Sequence, residues 1–189
     1  GVFTKDGFFR SGDVGRIDPD GYLWITGRVK DLIIRSGHNI EPSIIEDTLL
    51  KHPQVMLAAA VGKPDAYAGE LPIAYVQLVK GATVTGEALA AFALEHISER
   101  AAAPKEVIVL AQMPLTDVEK PSKVQLRQDA AQRAFEAVLG DALGQPVKVA
   151  IVPDETHGNV ARITAPVGSK AKIDEVMKAY TWHYEVVQA

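Results

Sequence analysis

Residues 27–42 read GRVKDLIIRSGHNIEP and hold the densest run of chemically informative side chains in the chain. An apolar strand pattern runs into this stretch, and charged residues then interrupt the pattern. A second apolar run leads to Ser36-Gly37, a pair typical of turns, and Pro42 suits the first position of a helix. The order predicts a strand, a polar joint, a second strand, a glycine turn and a helix start.

The composition excludes several classes of protein. The 189 residues include 24 acidic and 20 basic residues, for a net charge of -4, and no basic cluster with interleaved aromatic residues points to nucleic acid. No apolar run approaches the roughly 20 residues of a membrane-spanning helix. The absence of cysteine excludes disulfides and thiolate chemistry and predicts a cytoplasmic location. Because the sequence starts at Gly1 without methionine, we expect it to be part of a longer protein.

The hydrophobic pattern predicts a compact α+β domain with a small mixed or antiparallel sheet and packed helices. A β-hairpin leader should precede this domain, with a type I turn at residues 18–21. The two strands in the middle of the chain are too closely spaced for a crossover helix, so they should be antiparallel neighbours. The expected elements are a helix from Pro42 to near Pro53, strands 55–61 and 73–79, a helix from Thr85, strand 106–110, and a helix ending near Gly140.

The pattern changes after Pro146 and predicts a small β-β-α-β extension, which we assign to residues 131–189. His157 lies in its first polar loop, where a solvated turn histidine is commoner than a ligand. The five histidines show no His-x-x-x-His spacing, so no metal site is predicted. No glycine-rich phosphate loop follows a strand, so this chain holds no complete phosphate cradle of its own.

Asp13 and Lys120 have two interpretations each when only the residues are considered. Asp13 follows a glycine and can accept hydrogen bonds from ribose hydroxyls, but an aspartate there more commonly satisfies backbone donors in a turn. Lys120 and Lys123 flank a polar loop, and either can meet an anion, although a loop lysine is usually a solvated charge.

Seven short motifs, taken in order, resemble the C-terminal part of an AMP-forming acyl-CoA synthetase. These enzymes belong to the adenylate-forming superfamily, with firefly luciferase and peptide-synthetase adenylation domains. The resemblance covers residues 1 to 130. The motifs are RSGD at 10–13, DGYL at 20–23, GRVKD at 27–31, GHNIEP at 37–42, HPQV at 52–55, GELP at 69–72, and the segment from Pro114-Leu115-Thr116 to Arg127.

The resemblance implies roles for residues on both sides of a hinge. Asp13 would bind the ribose hydroxyls of ATP or the acyl-adenylate, and Arg28 would contact the ribose and phosphate side of the nucleotide. Lys30 occupies the hinge position, about which the C-terminal domain rotates between two half-reactions. Residues 1–30 would then be the end of a large N-terminal domain, and residues 31–130 the mobile C-terminal domain.

The same resemblance implies two further sites in the mobile domain. Ser36, Gly37 and His38 match the loop that lines the pantetheine tunnel, where small residues let the thiol pass close to the backbone. Lys120 matches the catalytic lysine that approaches the carboxylate and α-phosphate during adenylation, where a cation offsets developing negative charge.

The chain departs from the family pattern in two ways. Glu119 stands where the family usually has glycine, which places a carboxylate beside Lys120 and leaves Lys123 as the other candidate for the lysine. The phosphate loop, the acyl pocket and most of the adenine site lie upstream in such enzymes and are missing here.

The resemblance therefore implies part of a ligase that converts a carboxylic acid, such as a fatty acid, to acyl-CoA with ATP. AMP and CoA would bind this chain, and Mg²⁺ would act with no ligand identified here. Its own large domain is the expected partner, no nucleic acid partner is expected, and a homo-oligomer is possible. The isolated chain should be inactive. The alternatives are an enzyme that loads a carrier protein, and a non-catalytic module that binds a nucleotide or a partner.

Overall fold

The computed structural model describes residues 1–188, which form ten strands and four α-helices. The strands are β1 (Asp13–Ile17), β2 (Leu23–Arg28), β3 (Ile33–Arg35), β4 (His38–Ile40), β5 (Val55–Asp65), β6 (Gly69–Leu78), β7 (Glu106–Leu110), β8 (Lys148–Asp154), β9 (Gly158–Ala165) and β10 (His183–Gln188). The helices are α1 (Pro42–Leu50), α2 (Gly86–His96), α3 (Lys123–Leu143) and α4 (Lys170–Met177). Single turns of 3₁₀ helix occur at Val29–Asp31 and Arg100–Ala102.

The predicted leader hairpin is formed by β1 and β2, which pair antiparallel. Asp18 organises its turn, because its carboxylate accepts hydrogen bonds from the backbone N–H groups of Asp20 and Tyr22 at 3.0 and 2.9 Å. The other carboxylate oxygen accepts a bond from the indole N–H of Trp24 at 2.7 Å. The Trp24 bond and then the Tyr22 bond favour the charged form, so the pKa of Asp18 lies below its ordinary value.

A five-stranded sheet follows, in the order β4-β3-β6-β5, with β7 paired to β6. Strands β5 and β6 are joined by a turn of only three residues, which allows the predicted antiparallel pairing. Strand β7 runs parallel to β6, with Tyr75 opposite Ile108. Helix α2, capped by the Thr85 side chain, precedes β7 in the chain. Parallel and antiparallel pairs in one sheet, with helices between them, confirm the α+β class.

The chain divides into two compact units. The first comprises residues 1–33, 38–61 and 72–113, and the second comprises residues 34–37, 62–71 and 114–189. The first unit has its own apolar core, in which α1 and α2 contribute faces of the predicted amphipathic kind. Its fully buried members include Ile33, Ile40, Ile45, Leu49, Ala60, Ala74, Val76, Leu89, Ala93 and Ala102.

The second unit has a separate core made by α3, α4 and a three-stranded sheet. Strand β9 lies in the centre, antiparallel to β8 and parallel to β10, so the predicted β-β-α-β order is observed. The ring of Phe135 on α3 is fully buried and meets Tyr180 and Trp182 edge to face. Other buried members of this core are Ala131, Leu139, Val149, Ala161, Ile163, Ala165, Ile173 and Met177.

Helix α3 is longer than the sequence predicts. The predicted end at Gly140 was wrong, because the helix continues through that residue to Leu143. Gly144 ends it with φ of 68°, in the left-handed conformation that glycine adopts after a helix. The predicted boundary between residues 130 and 131 therefore lies inside a continuous helix. In the part of the chain that is described, no helix is both long and apolar enough to cross a membrane.

Candidate functional site

Asp13 and Arg28 are brought together by the leader hairpin. They are register partners at the end of β1 and β2, and the guanidinium Nε lies 3.3 Å from a carboxylate oxygen of Asp13. The Val29 N–H donates to the Gly12 carbonyl at 2.9 Å and extends the pairing. The predicted alternative for Asp13 was a turn aspartate, yet within residues 1–188 its carboxylate bonds no backbone N–H.

This pair offers a ligand two kinds of polar group side by side. The Arg28 side chain is 57% exposed and the Asp13 side chain 29% exposed. A pair so open to water contributes only about 0–1 kcal/mol to stability, since solvent screens it. The carboxylate can accept bonds from two hydroxyls while the guanidinium binds a phosphate, which is the combination that a ribose phosphate needs.

Lys30 lies in the 3₁₀ turn between β2 and β3, and its side chain is exposed. Extended residues flank this turn on both sides, with φ of -126° at Arg28 and -56° at Leu32. A single turn between two extended segments has few hydrogen bonds to break when its dihedral angles change, which suits a hinge.

Hydrogen bonds among the described residues connect Thr26, before Lys30, to the start of α1, after it. The Thr26 hydroxyl donates to a carboxylate oxygen of Glu41 at 2.9 Å. The Ser43 hydroxyl donates to the Thr26 carbonyl at 3.2 Å. The start of α1 is thereby attached to β2 in this conformation.

Ser36 and Gly37 form the turn between β3 and β4. Their φ angles are 50° and 80°, both positive, as in the type I′ turns that join tight hairpins. Ser36 is held there because its N–H donates to the Ala68 carbonyl at 2.7 Å, and Arg35 pairs with Gly69. The tip of the β5–β6 hairpin thus supports the turn, a contact that no sequence motif indicates.

His38 follows this turn as the first residue of β4 and pairs with Glu99. Its Nε2 contacts a carboxylate oxygen of Glu99, which lies between α2 and the 3₁₀ turn at Arg100–Ala102. The two side chains are 55% and 37% exposed. Sequence reasoning missed Glu99, because 61 residues separate the partners and only the fold brings them together.

Lys120 ends a tight turn before α3. The Thr116 N–H donates to the Lys120 carbonyl at 2.7 Å, and the Glu119 N–H donates to the Thr116 carbonyl at 2.9 Å. The Thr116 hydroxyl also accepts a bond from the Lys120 N–H at 3.3 Å. The backbone is therefore fixed, whereas the Lys120 side chain is exposed and its ammonium group has no partner within residues 1–188. Lys123 is instead half-buried at the start of α3.

Glu119 adopts φ of 58° in this turn. Only glycine takes that conformation without strain, and a side chain with a Cβ atom costs about 1–2 kcal/mol there. The backbone at this position therefore suits the glycine that the family resemblance leads us to expect there.

The two histidines of the extension contact each other, and we assign no functional role to either. His157 stacks on His183 with ring centroids 3.5 Å apart, beside a surface cleft of about 180 Å³ that also includes Asn159 and Trp182. The Asp154 carboxylate accepts the N–H groups of His157 and Thr156, which lower the pKa of Asp154. Among residues 1–188, no group of three or more histidine, aspartate or glutamate side chains lies close enough together to hold a metal ion.

Comparisons with known proteins agree with this architecture. The sequence model for the AMP-binding enzyme C-terminal domain matches residues 44–120. Marinolic acid--CoA ligase of Pseudoalteromonas sp. is 49% identical over 86% of this chain, and sulfoacetate--CoA ligase of Cupriavidus necator is 42% identical over 68%. The crystal structure of ATP-bound MatB from Rhodopseudomonas palustris has a TM-score of 0.65 and 35% identity, over 70% of this chain.

The chain spans about a quarter of each of these proteins: 25% of both ligases and 26% of the MatB chain. The alignment with the marinolic acid ligase leaves out only about a seventh of this chain, so it includes part of the extension after residue 130. Through residues 44–120 and the folded elements around them, the chain belongs to the family of AMP-binding enzyme C-terminal domains, of the kind found in AMP-forming acyl-CoA ligases.

Proposed function

We propose that this chain is the mobile C-terminal domain, with a leader from the large domain, of an AMP-forming acyl-CoA ligase. The complete enzyme converts a carboxylic acid and ATP to acyl-AMP and pyrophosphate, and then transfers the acyl group to CoA with release of AMP. Fatty acids are one class of acid that fits, and the cytoplasm supplies ATP and CoA. Residues 1–30 belong to the large domain, residues 31–130 to the mobile domain, and residues 131–189 to an extension that contributes structure or an oligomer contact.

The observation that carries this proposal is the geometry of Lys120. Its backbone makes two hydrogen bonds to Thr116, while its ammonium group lies exposed without a partner among the described residues. A cation presented in this way can meet an anion that the chain does not supply. We assign it to the carboxylate and α-phosphate of the adenylation step, where it offsets the charge that builds up as the carboxylate attacks phosphorus.

The leader hairpin supports the nucleotide part of the proposal. Asp13 accepts the ribose hydroxyls, and Arg28 beside it contacts the ribose and the phosphate. When bound to the complete enzyme, Mg²⁺ would neutralise charge on the phosphates of ATP.

Alternation between the two half-reactions is assigned to rotation at Lys30. The turn that contains it is short, and the contacts of Thr26 with Glu41 and Ser43 hold one orientation of the segments on either side. Rotation breaks these two hydrogen bonds, each worth about 0.5–1.5 kcal/mol, which a change of bound ligand can offset. Ser36, Gly37 and His38 then serve the thiol step.

Pyrophosphate release tests the assignment. The chain alone should be inactive, and the full-length protein should lose adenylation in Lys120→Ala while transfer from supplied acyl-adenylate to CoA continues. Lys123→Ala is the matched control, since it removes the lysine at the start of α3, three residues after Lys120, and it should retain adenylation. Turnover by the chain alone, or full adenylation in Lys120→Ala, would contradict the proposal.

Glu119 favours a second candidate, a non-catalytic module that binds an acyl-adenylate without turnover. Its carboxylate lies next to Lys120 in sequence and weakens the field of the ammonium group toward an anion. Calorimetry of the full-length protein with a non-hydrolysable acyl-adenylate analogue separates the two candidates. Tight binding together with no pyrophosphate release supports the module, and turnover supports the ligase.

A further inference from the structure

The pair formed by His38 and Glu99 has a chemical consequence that the family comparison does not assign. Ionised carboxylates only accept hydrogen bonds, so the Nε2 atom that contacts Glu99 carries the proton. In a neutral imidazole the other nitrogen, Nδ1, then has a free lone pair. Within residues 1–188 this Nδ1 makes no hydrogen bond, and more than half of the side chain is exposed.

The interaction between His38 and Glu99 contributes little to the stability of the fold. Solvent screens the two side chains, which are 55% and 37% exposed, and ion pairs this open to water are weak. Strand β4 is already anchored by Ile40, which is fully buried in the core of the first unit. What the pair does accomplish is to fix the tautomer and the ring position of His38, as a carboxylate does for the histidine base of nucleophilic enzymes.

We propose that His38 is the general base of the thiol step and that Glu99 is the residue that positions it. The inference rests on the proposed ligase function, which brings an acyl-adenylate and a pantetheine thiol to the loop at residues 36–38. A thiol is a poor nucleophile until it loses its proton, since the thiolate is the reactive form. An imidazole of fixed tautomer beside the thiol supplies the missing acceptor.

The step balances without any further reactant. Nδ1 of His38 takes the thiol proton, and the sulfur lone pair forms a bond to the carbonyl carbon of the acyl-adenylate. The bond from that carbon to the phosphate oxygen breaks, and AMP leaves with the electron pair. Glu99 stabilises the imidazolium through Nε2–H, and the proton passes from His38 to solvent after AMP has left.

The test measures the two half-reactions separately in the full-length protein. Thioester formation is followed with CoA and supplied acetyl-, isobutyryl- or octanoyl-adenylate, and adenylation is followed by pyrophosphate release. His38→Gln should slow thioester formation about 100-fold near neutral pH, a typical contribution of a general base, and leave adenylation within about twofold. The rate of thioester formation in His38→Gln should recover at alkaline pH, because the thiol of CoA then ionises without a base.

Glu99→Gln should lower the rate of thioester formation about tenfold or more with little change in KM for CoA, because an amide can donate to Nε2 and favour the wrong tautomer. Glu95→Gln is the matched control, since it removes the same charge from an exposed position on α2, and it should behave as wild type. Melting temperatures of all variants show whether the fold is intact.

Two results would overturn the inference: wild-type thioester rates near neutral pH in His38→Gln, or equal losses in both half-reactions in that variant. A wild-type protein that neither forms nor consumes any of the three adenylates would instead refute the proposed function itself. The two failures are therefore distinguishable.

Discussion

Glu119→Gly changes both the backbone and the charge next to Lys120. Glycine relieves the backbone strain at φ of 58°, which is about 1–2 kcal/mol. It also raises the conformational entropy of the unfolded chain, which lowers the stability by about 0.4–1 kcal/mol. The net gain in the free energy of unfolding is about 0–1.6 kcal/mol, with a midpoint of about 0.8 kcal/mol. A bound anion about 6 Å from the Glu119 carboxylate is repelled by about 0.7 kcal/mol in water, so removing that carboxylate strengthens binding of the anion about threefold.

Two assays separate these effects, and Glu119→Gln is the matched control. Glutamine removes the charge but keeps a Cβ atom, so it should raise kcat/KM for pyrophosphate release about threefold without raising the melting temperature. Glycine should raise both quantities. If Glu119→Gly lowers the melting temperature, the strain argument is wrong, and if neither variant changes adenylation, the charge of Glu119 does not reach the site of Lys120.

Three further predictions concern the leader, the first core and the extension. Gly86→Ala places a Cβ 2.0 Å from the Val107 carbonyl oxygen and should lower the free energy of unfolding by about 2 kcal/mol in urea titrations, whereas Gly27→Ala, which meets no atom within 4 Å, should cost much less. Because the pKa of Asp18 is lowered in the folded hairpin, its stabilising effect is present above about pH 4, the ordinary pKa region of the carboxyl group, and is lost as the pH falls through the lowered folded value. Trp24 fluorescence in a Trp182→Phe background should report this loss of stability as an acid transition. If Asp18→Asn shows the same acid transition, the hydrogen bonds of the Asp18 carboxylate do not cause it. Tyr184→Phe removes the bond from the tyrosine hydroxyl to Asp174 at 2.8 Å and should cost about 1–2 kcal/mol in thermal unfolding, and an unchanged melting temperature would show that water replaces the bond.

Sequence patterns predicted most of the elements because their signals are local. Pro42 begins α1, Thr85 caps α2, and the spacing of apolar residues marks both helices. The end of α3 was missed because both Gly140 and Gly144 are compatible with a helix end, and a glycine inside a helix costs only about 1 kcal/mol. Leu143, which follows Gly140 in the helix, packs against the core of the second unit and favours the longer helix.

The sequence by itself determined the type and order of the elements, the family motifs and the positions of Asp13, Arg28 and Lys120, since each depends on residues close together in the chain. Only the tertiary structure decided which side chains meet over long separations. It placed Glu99 against His38, the Ala68 carbonyl against Ser36, and Glu41 against Thr26. A hydrogen-bond partner is selected by distance in space, and spacing along the sequence contains no signal for it.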